Sequence, residues 1–332
     1  MNIIISLIVF GILVLFHEFG HFIVAKKAGV KIHEFAIGMG PKIYSYKGDE
    51  TEYALRVLPI GGYVRMEGED EESSDPRSFN NKTIFQKISI IFAGPLMNFI
   101  LAILLFTLMF MYKGVPGTTI ENTIDNLPAQ QVGIKQGDKI LKINDSSIKN
   151  WDDIRKTVSN SSTNTIKIQV QRDNNVLEYD ITPKDENGKK KIGIEPKYEK
   201  NKIISSFKYA VDQTFFILGQ MIDFLGKAIT GNVSKDEVAG PVGIINVVGK
   251  AADAGIINVI FLGGVISINL GLFNLLPIPA LDGGRIIFLL IELIRGKKMN
   301  PEREGSIHFI GFVALMLLMV FTIYNDVSRI IK

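Results

Sequence analysis

Apolar residues gather along this chain in four runs, at 2–25, 88–112, 254–281 and 305–325. Each is long enough for a helix to cross a hydrocarbon layer of about 30 Å, which takes roughly 20 residues. The first run carries ionisable groups only at His17, Glu18 and His21, the second and third carry none, and the fourth has only His308 near its start. The pattern predicts four membrane-spanning helices. The first reads as a retained span, because it lacks a basic leader and a small-residue cleavage pattern and is too long for a signal peptide.

Between these runs the pattern changes. From 31 to 67, strand-like stretches are broken by Gly38-Met39-Gly40-Pro41 and Lys47-Gly48-Asp49-Glu50, which read as turns. Tyr44, Tyr46, Tyr53, Leu55 and Val57 alternate with polar or small residues as a half-buried hairpin would. The acidic run 67–75 reads as a solvated loop. Residues 114 to about 196 read as a separate β-rich domain: turn, strand, helix, then two strands joined by Asp173-Asn174-Asn175. In 203–229, Lys208, Asp212, Asp223 and Lys227 interrupt the apolar residues, which suits a helix lying at the membrane interface.

Charge refines this picture through its placement. A net charge of +3 gives no reason to expect nucleic acid. Lys26, Lys27, Lys31, Lys82 and Lys87 flank the first connection, and Arg285, Arg295, Lys297, Lys298 and Arg303 fill the last. The positive-inside rule puts both in the cytosol, so both termini and residues 113–253 fall outside. The expected organisation runs from a first transmembrane helix (1–25) through a cytosolic or membrane-associated β-hairpin region (26–83) to a second helix (84–112). The extracytoplasmic domain (113–198) and an interfacial helix with its linker (199–253) follow. A third transmembrane segment (254–284), a cytosolic loop (285–305) and a fourth helix with the C-terminus (306–332) complete it.

The chemistry concentrates in "HEFGH". On a helix, residues i and i+4 share a face, so His17 and His21 can both address one metal ion, with Glu18 beside them for proton transfer. The plainer reading is polar residues facing a bundle interior. Against it, a charge at mid-bilayer costs roughly 2.5–3.5 kcal/mol even on mild scales, and a metal would relieve that cost. The chain has no cysteine, so a third ligand comes from elsewhere: His33, His308 or a carboxylate. In "NLLPIPALDGGR" the prolines at 277 and 279 interrupt a segment that as a straight helix from 254 to 282 would run about 42 Å, beyond the hydrocarbon layer. Asp282 is thereby carried back toward the metal, and Gly283 and Gly284 permit the tight backbone.

With these motifs in view, the chain resembles the site-2 protease family of intramembrane zinc metalloproteases, bacterial branch, over essentially its whole length. The resemblance implies a multi-pass α-helical membrane protein of four spans with a membrane-associated β-region and one inserted extracytoplasmic PDZ domain. The PDZ resemblance itself rests on Gly133-Ile134, Gly137-Asp138 and the strand 139–144. One Zn2+ would be held by His17, His21 and Asp282, with Glu18 as the catalytic general base. Asn269, Asn274, Pro277 and Pro279 match positions that hold the substrate strand, and Gly38 and Gly40 belong to the β-region that pairs with it. "FAGPLMN", 92–98, resembles a further signature, with no role assigned to Asn98. The implied partners are single-span membrane protein substrates such as anti-sigma factors or signal-peptide remnants, a peptide ligand for the PDZ domain, and the lipid bilayer of a bacterial cytoplasmic membrane. Two other classes would use the same residues differently. A membrane scaffold stapled by zinc would make Glu18 dispensable, and a transporter would not need the His-Glu-x-x-His spacing.

Overall fold

The computed structural model describes every residue except Met1, 70–72, 162, 187–188, 201–202, 232–239, 298 and Lys332. Part of the expected acidic loop, Lys298 and residues 232–239 of the expected linker therefore lie outside the described residues. The first elements are α1 (Asn2–Lys27), β1 (Ile32–Lys47), β2 (Glu52–Met66) and α2 (Ile84–Lys113). Then come β3 (Val115–Thr123), α3 (Pro128–Gln131), β4 (Lys139–Ile143), β5 (Ser146–Ser147) and α4 (Trp151–Ser159). They are followed by β6 (Ile166–Arg172), β7 (Asn175–Ile181), β8 (Lys184–Glu186), β9 (Lys189–Lys191) and β10 (Ile194–Glu199). The chain ends on α5 (Ile203–Ile229), α6 (Pro241–Asp253), α7 (Ile256–Asn274), α8 (Asp282–Arg295) and α9 (Pro301–Ile331). Contacts divide it into two compact units, Met1–Phe106 with Ala210–Lys332, and Thr107–Tyr209.

Four helices among the described residues are long and apolar enough to cross a membrane: α1, α2, α7 and α9. Their apolar surface is only partly covered by protein. In α9 just 6 % of the apolar window is buried, so its outer face is matched to an apolar surround. The third apolar run does not continue as one helix: α7 ends at Asn274 and α8 starts at Asp282, with Pro277 and Pro279 in the break. Here the expected interruption is where proline's missing N–H and ring put it. α6 packs on α1, α7 and α9. Asp326 of α9 caps it, accepting from the N–H groups of Gly240 (3.1 Å) and Gly243 (2.7 Å), two of the donors a helix start leaves unpaired.

The region 31–67 forms a bent antiparallel ladder of β1 on β2. The start of β1 is flanked twice, with Phe35 opposite both Val64 and Tyr53, and Ile37 opposite both Gly62 and Leu55. The 62–66 segment therefore forms one flank of the sheet and 42–47 the other. Phe22, Phe35, Val64, Met66, Phe79, Ile90 and Ile91 bury together and fasten the sheet to α1 and α2. The expectation of a half-buried hairpin fails for its outer part. Tyr44 is 66 % exposed, Tyr46 62 % and Val57 50 %, with Met39, Ile43 and Leu58 beside them. Among the described residues no protein layer covers that face, and its apolarity suits immersion in lipid rather than a protein core.

The smaller unit has a sheet of order β10-β3-β4-β6-β7, with β5 paired to β4. Ile166, Ile168 and Val170 point inward while Lys167, Gln169 and Gln171 point out, the two-residue period of a half-buried strand. They join Ile120, Ile140, Ile143, Ile154 and Ile181 in one core. β6 and β7 are joined by Asp173 and Asn174, both at positive φ (46° and 70°), the conformation a tight two-residue hairpin demands. α4 opens on a capping box between Asn150 and Asp153.

Candidate metal centre

α1 presents His17 and His21 one turn apart, their ring centroids 4.8 Å from each other and their planes at 84°. The two Nε2 atoms are 3.2 Å apart. The third group arrives from the far end of the chain. After α7 the backbone turns through Pro277 and Pro279, and Ala280 takes a left-handed φ of 75°. Its N–H donates to His308 Nδ1 at 2.9 Å, which anchors this strained residue two positions before Asp282. α8 can start hard against the end of α7 because residue 283 has no side chain; a Cβ on Gly283 would stand 2.3 Å from the Leu276 carbonyl oxygen. Asp282, in the first turn of α8, places Oδ2 3.1 Å from His17 Nε2 and 3.6 Å from His21 Nε2.

These separations can be tested against an ion. Ligand atoms about 2.1 Å from a tetrahedral zinc lie roughly 3.4 Å from one another. The three observed values, 3.1, 3.2 and 3.6 Å, bracket that figure. Asp282 Oδ2 is buried and receives no hydrogen bond, so a cation among the three atoms would supply its missing partner. Two imidazoles and one carboxylate are also the ligand classes zinc accepts while leaving a position open. The residues fit zinc.

The outer nitrogens of both imidazoles are met by α2. His21 Nδ1 lies 2.9 Å from the carbonyl oxygen of Ile90, and His17 Nδ1 lies 3.0 Å from the side-chain amide of Asn98. Asn98 is fully buried, and Ser267 of α7 donates to its backbone carbonyl at 2.7 Å. The helices come this close because two residues lack side chains. A Cβ on Gly20 would stand 2.2 Å from the Ala93 carbonyl oxygen, and one on Gly94 would stand 2.3 Å from His21 Nε2 itself. The sequence marks "FAGPLMN" on α2 as a signature but assigns Asn98 no role. The available sign was an uncharged apolar run with a glycine and an asparagine four residues apart, which puts them on one helix face.

Glu18 is half-buried on α1, and a Cβ on Gly62 would come 3.2 Å from its Cγ. The 62–66 flank of the sheet therefore passes directly beside Glu18, a neighbour the sequence did not reveal. Gly38 and Gly40, the expected β-region residues, sit at the bend of β1 with φ of 84° and 85°. The carbonyl of Gly40 accepts from Arg56 Nη1 at 2.6 Å. Arg56 also donates to Glu34 at 2.7 Å and to the Tyr63 hydroxyl. Burial alone would raise the Glu34 carboxyl, but the bonds from Arg56 and Tyr63 hold it below the ordinary range. Asn269 and Asn274 lie on α7, and Pro277 and Pro279 in the connection to α8. His33 pairs with Glu67 at 2.6 Å and His308 with Ala280; neither belongs to the three-atom cluster.

Two imidazoles and an adjoining glutamate on a helix fit to cross a bilayer, with a carboxylate brought to them from α8, define a membrane metallopeptidase. The model of Peptidase family M50 matches residues 5–318, and the chain belongs to that family. It is 36% identical over 417 aligned positions to Zinc metalloprotease RasP of Bacillus licheniformis, covering 99% of this chain and 100% of the relative. It is 35% identical over 412 positions to the Regulator of sigma-W protease RasP of Bacillus subtilis, covering 98% and 97%. A Clostridium acetobutylicum protein with a provisional zinc metalloprotease name is 43% identical over 329 residues, covering 98% and 97%. Among solved structures, the PDZ domain of an SdrC-like protein from Listeria monocytogenes is 25% identical, covers 26% of this chain and 88% of that one, and gives a TM-score of 0.21. The chain is a zinc metalloprotease of a bacterial membrane.

Proposed function

We propose that this enzyme hydrolyses peptide bonds within or near the transmembrane segments of single-span membrane proteins. The observation that carries the reading is the placement of His17, Glu18 and His21 on a helix of membrane-crossing length, with Asp282 brought to the same two imidazoles. His17, His21 and Asp282 would hold zinc; bound there, the ion supplies Lewis acidity and brings the pKa of water to about 7. Glu18 takes the proton from the attacking water and returns it to the leaving amine. A substrate helix keeps its amides internally bonded and must be opened before cleavage. The 62–66 flank beside Glu18 offers backbone groups on which an unwound segment could pair as an added strand. Asn269, Asn274, Pro277 and Pro279 would hold that strand from the other side.

The basic residues around 26–31, 82–87 and 285–303 support a cytosolic position for those loops, so both termini and the Thr107–Tyr209 unit lie outside. We read that unit as a PDZ domain taking an extended peptide, on Gly133, Gly137 and the strand that follows. The Bacillus subtilis relative's name ties it to the regulation of a sigma factor; membrane-anchored regulators of that kind, or signal-peptide remnants, are the substrate class proposed for this chain. The test is a comparison of membrane proteomes from cells carrying the native enzyme or Glu18→Gln. Membrane stubs should accumulate with Glu18→Gln, and identical proteomes would refute the reading.

A further inference from the structure

We propose that Asn98 is a positioning residue for the metal centre. It presents its side-chain carbonyl to Nδ1–H of His17 and so holds that imidazole in the tautomer whose Nε2 lone pair faces Asp282 and His21. The inference rests on the metallopeptidase reading and adds a role for α2 to it.

A neutral imidazole has one protonated and one free nitrogen, and the partner of one fixes the state of the other. Nε2 of His17 converges on the cluster, 3.1 Å from Asp282 Oδ2 and 3.2 Å from His21 Nε2, so ligation requires its lone pair there and the proton on Nδ1. Among the described residues, Nδ1 has its hydrogen-bond contact with the side-chain amide of Asn98, at 3.0 Å. The two ends of an amide are the same shape, and chemistry decides between them. With the NH2 toward His17, Nδ1 would have to accept, Nε2 would carry the proton, and Asn98 Oδ1 would stay buried without a donor, as it stands. With the amide turned, Oδ1 accepts a hydrogen bond from Nδ1–H and the Nε2 lone pair is freed. The neighbouring ligand follows the same rule: His21 Nδ1 faces the carbonyl oxygen of Ile90, which can only accept. α2 thus sets both ligands through two acceptors eight residues apart on one helix face. Gly94, midway, leaves the ligand nitrogens uncovered.

An uncharged carbonyl suits this position. Carboxylate partners are the usual alternative behind a ligating imidazole, but the second run contains no ionisable group, and a further charge there would carry the mid-bilayer cost. The hydroxyl of Ser267 on the Asn98 backbone carbonyl fixes the helix turn that carries the amide.

The experiment measures zinc affinity of the purified full-length protein by competition with a chelator, for native enzyme, Asn98→Leu and Asn98→Asp. Asn98→Leu keeps the shape and removes the acceptor; about 10- to 100-fold weaker binding is expected, the usual cost of losing a ligand's outer partner. Asn98→Asp keeps an acceptor and should bind zinc within a few-fold of native. Unchanged affinity in Asn98→Leu overturns the proposal, as does Asn98→Asp falling as far as Asn98→Leu, since the NH2 would then be the needed group. If Asn98→Leu fails to fold, 15N-histidine spectra of the zinc-loaded native protein decide: a proton on Nδ1 of His17 is expected, and one on Nε2 overturns the assignment. Native protein that takes up no zinc would overturn the metallopeptidase reading together with this one. Loaded native protein with an indifferent Asn98→Leu would overturn only the role of Asn98.

Discussion

Two carboxylates, Asp138 in one unit and Asp282 in the other, have their buried oxygens treated in opposite ways. In the Thr107–Tyr209 unit the deepest ion, Asp138, has no exposed surface and is fully matched. Arg172 meets it through Nε (2.7 Å) and Nη2 (2.8 Å), and the N–H of Lys135 adds a third bond at 2.9 Å. Around His17 the chain leaves Asp282 Oδ2 buried without a donor and holds Ala280 at a strained φ. A native core normally pairs such groups, and orphaned ones mark a place awaiting something else. The pairing of Asp138 serves folding. Asp282 Oδ2 is kept open for a ligand, and stability is supplied by helix packing around it.

The comparison is broken most sharply by Glu18→Gln. If Glu18 serves chemistry alone, turnover of a single-span substrate in liposomes should fall about 10²- to 10⁴-fold with zinc content unchanged. Loss of zinc together with activity would make Glu18 part of the ion's hold instead. Gly94→Ala comes next. In an exposed helix interior this change stabilises by roughly 1 kcal/mol. Here the added methyl falls on His21 Nε2, so zinc affinity should drop by about a hundredfold, measured by chelator competition. Native affinity in Gly94→Ala would mean that α2 stands further from the histidines than described.

How much of this the sequence disclosed depends on range. His17 and His21 are four apart on one helix, so periodicity alone joins them. Asp282 was legible because two prolines and two glycines mark a break where a helix would overrun the bilayer. The β6–β7 hairpin was legible through Asp173 and Asn174. What stayed hidden depends on contact between segments distant in the chain. Asn98 reaches His17 across 81 positions, Gly62 reaches Glu18 only through the sheet's double register, and His308 finds Ala280 across a helix break. None of these has a local periodicity to betray it. The alternation of Tyr44, Tyr46 and Val57 was read correctly as strand, yet periodicity cannot say whether the apolar face meets protein or lipid.

Effects in the smaller unit should be lesser and confined to folding. Arg172→Leu strands Asp138 without its main partner. With the Arg172 side chain still 26 % exposed, water recovers part of the loss, so about 2 kcal/mol is expected. Trp151, the single tryptophan of the chain, packs on this unit's core, and its fluorescence during urea unfolding reports the change. The pH dependence follows from the same pair. Burial would raise the Asp138 carboxyl, but the hydrogen bonds from Arg172 and Lys135 hold it below the usual range. A carboxyl depressed in the folded state contributes stability above its unfolded value, about 3.9, and loses it as pH falls through the folded one. The native unit should weaken as pH drops from 5 toward 3 (about the carboxylate range), and Arg172→Leu should flatten that dependence.

The smallest effect lies at the β6–β7 turn, and it separates the two regions most cleanly. Asn174 sits at φ 70°, where a β-branched side chain crowds its own backbone and asparagine is tolerated. Asn174→Val should cost about 1–2 kcal/mol in the Trp151 transition, and Asn174→Gly close to nothing, since glycine's easier left-handed backbone offsets its greater freedom when unfolded. Neither substitution should alter zinc affinity. Ala280 has nearly the same φ, 75°, but its strain is held by His308 beside a candidate ligand. Ala280→Gly should therefore leave the Trp151 transition unmoved and weaken zinc binding a few-fold, because a looser residue 280 no longer fixes Asp282. Equal zinc affinity in Ala280→Gly and native enzyme would show that the strain at 280 merely accompanies the helix break, and the contrast between the regions would then rest on the orphaned Asp282 oxygen alone.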